Sequence, residues 1–141
     1  MKKFKKIFSG VLLVFFLISL LYSYTHAKEN TKNITGSLNS IVNEIDGISI
    51  VAKPVNLSSS EIVFEIAINT HSGSLDFDMS QISELVINNK KVMKPIKWNG
   101  SAPGGHHRYG KIIFPGYDKA INKLKLTIKT NDSLRIFEWS L

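Results

Sequence analysis

From Ile41 onward the chain alternates apolar and polar residues with a period of two, which is the pattern of half-buried strands. Ile48, Ile50 and Ala52 alternate until Pro54, where the run is expected to stop. Ile62, Phe64, Ile66 and Ile68 then share one face of the clearest core strand in the chain. Leu85–Asn88 and Val92–Ile96 flank the polar pair Asn89-Lys90 and predict a hairpin. Lys111–Phe114 ends at Pro115-Gly116. Leu124, Leu126 and Ile128 alternate with lysines and Thr127, so this strand has a solvated basic face. After a turn at Asn131-Asp132, Leu134–Leu141 closes the chain with Phe137 and Trp139 on one face. The only helical expectation is one short turn over Ser80–Glu84, capped by Ser80. Strands at a spacing of roughly 8–12 residues without helices predict an all-β fold: an immunoglobulin-like β-sandwich of about seven strands.

The N-terminus has a different pattern. Lys2, Lys3, Lys5 and Lys6 precede a mainly apolar run over Ile7–Leu21, and Thr25-His26-Ala27 supplies small residues for cleavage. This reads as a signal peptide over 1–27, with an uncleaved membrane-anchor helix as the alternative. A polar tether over 28–40 and the sandwich over 41–141 follow. The expected location is extracytoplasmic, either secreted or tethered to the outer face of the cytoplasmic membrane, with membrane contact only through an uncleaved N-terminal segment.

Composition narrows the chemistry. There is no cysteine, so the sandwich has no disulfide and must hold by packing. The formal net charge of +7 falls to +3 without the four leader lysines, and the remaining lysines are scattered. No basic patch interleaved with aromatics is present, which excludes nucleic acid as an expected partner. The Asn-x-Ser/Thr triplets at Asn33, Asn56, Asn99 and Asn131 are chance matches in an Asn- and Ser-rich chain.

Two polar islands carry the candidate chemistry: Thr70-His71-Ser72 and Gly104-Gly105-His106-His107-Arg108. One of the adjacent histidines, with His71 and either Asp76 or Asp78, would make a set of two imidazoles and a carboxylate suited to zinc or copper(II). Neighbours in an extended segment point to opposite faces, so His106 and His107 do not both serve one site. In the competing reading the same segments only lock the loops. The histidines bond backbone, Arg108 pairs with Asp76 or Asp78, Gly104 and Gly105 permit the turn, and Trp98 packs at the rim. A calcium loop starting at Asp76 is excluded, because Gln81 stands at its sixth position and Ile87 at its twelfth. Ser72 or Ser74 beside His71 and Asp76 does not by itself make a triad, and no nucleophile elbow, zinc-protease helix or phosphate loop is present. Trp98 and Trp139 are expected in packing rather than as a sugar platform.

Thr70-His71-Ser72, Leu75 through Met79, Trp98-Asn99-Gly100, Gly104 through Arg108 and Phe114-Pro115 together resemble a family of small exported bacterial β-sandwich proteins. The resemblance covers Ile48–Leu141 and departs at Tyr109, where the family carries a smaller residue. It implies the fold and export, and assigns no activity. The expected function is therefore a monomeric, non-enzymatic binding module whose partner is a metal ion or an envelope protein. Its alternative is an envelope-associated structural or interaction domain whose His and Arg residues lock the loops; an extracytoplasmic hydrolase is a minor third.

Overall fold

The computed structural model describes residues 38–130 and 133–141. The leader, most of the tether and the turn at Asn131-Asp132 lie outside them. Within the described residues the fold is all-β, with nine strands in two antiparallel sheets. The strands are β1 (Ile41–Ile45), β2 (Ile48–Leu57), β3 (Glu61–Thr70), β4 (Ser83–Ile87), β5 (Lys91–Met93), β6 (Lys97–Gly100), β7 (His107–Pro115), β8 (Lys123–Thr130) and β9 (Ser133–Ser140). One short helix, α1 (Met79–Ile82), lies between β3 and β4. The first sheet has the order β1-β2-β3-β7-β6 and the second β5-β4-β8-β9. No helix among the described residues is long and apolar enough to cross a membrane.

Period-two alternation becomes burial as expected. Ile62, Phe64, Ile66 and Ile68 of β3 are fully buried, as are Leu124, Leu126 and Ile128 of β8. Phe64 meets Phe114 of the same sheet edge to face, with ring centroids 5.9 Å apart. It also meets Trp139 of the opposite sheet at 5.4 Å, so one aromatic ties both sheets into the core. Each fully buried Ile, Leu or Phe contributes about 1.5–3 kcal/mol through area removed from water. A continuous core of such residues from both sheets holds the fold without a disulfide, as the chain has no cysteine.

Local turn chemistry sets the hairpin registers. Asp46 and Gly47 connect Ile45 to its partner Ile48 with φ of 53° and 72°. Two central residues at positive φ match the right-handed twist of the flanking strands, and Asp-Gly is a preferred pair for that turn. Asn88 and Asn89 repeat the device between β4 and β5, with φ of 52° and 57°.

Three local expectations change. Pro54 does not end its strand: β2 continues to Leu57 across a register shift between Pro54 and Asn56. β1 reaches only Ala52, so Pro54 lies where β2 has one neighbour and a missing donor is tolerated. The cap of α1 is Asp78, whose carboxylate accepts from the Ser80 amide at 2.8 Å. Ser80 is instead within the helix. The tether is shorter than expected at its C-terminal end, because Leu38 packs against the core and the Asn39 carbonyl accepts from the Trp139 indole at 2.8 Å.

Candidate functional site

The two polar islands meet at one end of the first sheet. β3 and β7 pair antiparallel, which sets Asn69 opposite His107 and Ile68 opposite Arg108. The Thr70 amide then donates to the His106 carbonyl at 2.9 Å. Beyond the strands, the Leu75 amide donates to the Gly105 carbonyl and the Gly104 amide to the Leu75 carbonyl, each at 3.0 Å. Gly104 and Gly105 have φ of 117° and 70°, conformations that a Cβ disfavours, so the glycine pair is what lets the loop turn back onto Leu75. Leu75 is fully buried and pins the connector to the core. Thr70 is also buried. Its Oγ1 accepts from the Ser72 amide (3.3 Å) and lies 2.8 Å from the Ser72 carbonyl and 3.1 Å from the Gly47 carbonyl.

Arg108 organises this rim. Its side chain is 2% exposed and points inward from β7. Nη1 donates to the carbonyls of Leu75 (3.0 Å) and Phe77 (2.6 Å), and Nη2 to that of Ser101 (3.1 Å). The guanidinium carbon lies 5.4 Å from the centroid of the Phe77 ring and 5.8 Å from that of Trp98, within reach of their negative faces. The Trp98 indole itself donates to the Ser101 carbonyl at 2.9 Å. Burial lowers the Arg108 pKa, and the charges of Asp78 and Asp76 offset part of that shift.

The expected ion pair between Arg108 and Asp76 or Asp78 is not formed; the guanidinium spends its donors on backbone carbonyls. The two carboxylates face other tasks. Asp76 accepts from Ser74 Oγ at 2.8 Å, and Asp78 caps α1. The fork geometry explains the choice, since two nitrogens of one planar group serve three carbonyls that converge from two chain segments.

β6 and β7 pass very close beneath Trp98. A Cβ on Gly110 would lie 2.5 Å from the Gly100 Cα and 2.7 Å from the indole. Only a glycine pair permits this approach.

His71, His106 and His107 are all exposed. His107 Nδ1 lies 2.8 Å from Asn69 Oδ1, a hydrogen bond between the two strands. The structure therefore brings the two histidine-bearing segments together through their backbones. Among the described residues, no group of three or more His, Asp or Glu side chains is arranged to hold a metal ion. Tyr109 points outward from the same strand, 56% exposed.

A second buried arginine escaped the sequence reading. Arg135 of β9 is fully buried. Its Nη1 donates to Thr130 Oγ1, and its Nη2 to the Ile45 carbonyl of the opposite sheet at 2.7 Å. Burial lowers its pKa too, with the Asp46 charge in opposition. The alternation Arg135, Phe137, Trp139 was the available signal: it places the arginine on the core face.

The chain matches no protein-family model, no curated protein and no solved structure.

Proposed function

We propose that this chain is an exported immunoglobulin-like sandwich that acts as a non-enzymatic interaction module, recognising an envelope protein through the rim around Arg108. Export rests on the N-terminal sequence pattern. The strand order supports the immunoglobulin assignment. β2-β3-β7-β6 follows the A-B-E-D sheet and β5-β4-β8-β9 the C′-C-F-G sheet, with β1 added outside the A position.

The Arg108 clamp carries the functional reading. It draws the 75–77 connector and the loop at Ser101 onto β7, while His71, His106, His107 and Tyr109 remain outside. A rim whose backbone is already fixed loses little entropy on binding, which favours recognition by its exposed side chains. This is the structural and interaction reading of the two islands; no three-ligand cluster among the described residues favours the metal reading.

Site-specific photo-crosslinking of the full chain in its native envelope tests the proposal. A probe at Tyr109 is expected to give one discrete protein adduct, and a probe at Lys53, away from the rim, none. Thermal unfolding with zinc and copper(II) supplies the opposing outcome. A saturable rise in midpoint that disappears in His71→Ala would overturn the interaction reading, since a ligand specific for the folded state must stabilise it.

A further inference from the structure

The far end of the sandwich carries a second surface, independent of the rim reading. β7 runs from His107 at the rim to Pro115, so its nine residues separate the two ends by about 30 Å. At the far end Asn88 bolts the β4–β5 turn to the segment that enters β8. Its Oδ1 accepts from the amides of Asn122 (2.8 Å) and Lys123 (3.1 Å), and its Nδ2 donates to the Ala120 carbonyl at 2.8 Å.

Beside this joint lies an open hollow of about 560 Å³. Asn89, Lys90, Tyr117, Lys119, Asn122 and Lys123 line it, and no carboxylate does. Lys123 Nζ is paired with Glu138 at 3.1 Å. Lys90 and Lys119 are exposed and enter no ion pair among the described residues; Asp118, the chain neighbour of Lys119, is itself exposed. The hollow is thus lined by ammonium, amide and phenol groups with no carboxylate among its lining residues, and two of its three lysines enter no ion pair among the described residues. That set suits a phosphate anion.

The path of the chain selects the source of the phosphate. β1 runs from Ile41 toward the rim turn at Asp46-Gly47. The residues before it therefore enter at the far end, where the Asn39 carbonyl accepts from Trp139 and the Leu141 amide donates to the Asn122 carbonyl at 2.9 Å. Upstream, the sequence carries the basic and apolar segment from Lys2 to Leu21. A chain exported through or anchored in a membrane meets a bilayer surface, whose anionic headgroups carry that phosphate. We infer that this end docks on the phosphate headgroups of an anionic bilayer.

Lysine footprinting by mass spectrometry tests this on the full chain reconstituted into vesicles. Phosphatidylcholine vesicles are compared with vesicles containing one third phosphatidylglycerol, as an order-of-magnitude match to an anionic leaflet. Acylation of Lys90 and Lys119 is expected to slow about five-fold in the anionic vesicles and to recover at high salt. Lys129, exposed near the other end of β8, is expected to react at one rate throughout. In Lys90→Gln/Lys119→Gln, protection of Lys123 should be lost while circular dichroism is unchanged. Equal acylation of Lys90 and Lys119 in both vesicles overturns the inference. Equal protection by inorganic phosphate in neutral vesicles overturns the bilayer as its source.

Discussion

Two arginines are buried in this sandwich, one in each sheet, and they do different work. Arg108 bonds three carbonyls and lies near two aromatic faces. Arg135 bonds one carbonyl and one hydroxyl. Both leave Nε without a partner, and burial lowers both pKa values. A lowered arginine pKa means that the charged form fares worse in the fold than in water. At neutral pH each charge therefore works against folding, and its hydrogen bonds must exceed that cost. What separates the two sites is what each arginine satisfies. The Leu75 and Ser101 carbonyls also accept from the Gly104 amide and the Trp98 indole, so Arg108 completes a network of irregular backbone, whereas the hydroxyl bonded by Arg135 can rotate. Arg108 is thus a device for holding irregular backbone, and Arg135 a tie between β9 and the end of β1.

The comparison is broken most directly by removing each guanidinium. Arg108→Met leaves the Phe77 carbonyl unpaired and takes one of two donors from the Leu75 and Ser101 carbonyls, and is expected to cost about 2–4 kcal/mol by denaturant unfolding. Amide exchange should then accelerate at Leu75 and Gly104 ahead of the core strands. Arg108→Lys should fall between, because a point charge lacks the planar fork and its aromatic stacking. Arg135→Met is expected to cost less, about 1–2 kcal/mol, since it removes bonds to one carbonyl and one hydroxyl only. Adding Thr130→Val should recover part of that loss, because removing both partners of a buried polar pair is nearly neutral. A double variant less stable than Arg135→Met would show that Thr130 has a role beyond this bond. The smallest effect is expected at the surface. His107→Ala loses one exposed bond to Asn69 and should change stability by less than about 0.5 kcal/mol. A loss above about 1 kcal/mol would move the clamp from Arg108 to the histidines.

The sequence made the core faces legible, because alternation is a local signal and burial follows it. Ile62 through Ile68, Leu124 through Ile128 and the pair Phe137 and Trp139 all lie inward as their spacing requires. Gly104, Gly105, Arg108 and Trp98 stood out in the sequence as residues of the two islands and their rim, but their arrangement was not legible, since an Arg–Asp pair is the chemical expectation and backbone carbonyls are invisible in a sequence. Pro54 misled because its cost depends on whether a neighbouring strand reaches it. The meeting of the two islands was open until strand order placed β3 beside β7. Arg135 was in plain view of the alternation, but a charge on a core face is readable only when its partners are known.

The β3–β7 pairing has a consequence for how the chain reaches this state. Asn69 and His107 are 38 positions apart, and their strands pair in the centre of the first sheet only after β4, β5 and β6 have been laid down. The five hairpins between sequence-adjacent strands among the described residues, β1–β2, β2–β3, β4–β5, β6–β7 and β8–β9, close over short stretches and need little search. Joining β3 to β7 requires closing a long loop before any contact rewards it, which places folding in the slower, roughly millisecond-to-second range of sandwich proteins. Until that joint forms, both strands of the central pair present an open apolar edge, so the interval between synthesis and closure is when this protein is most exposed to aggregation.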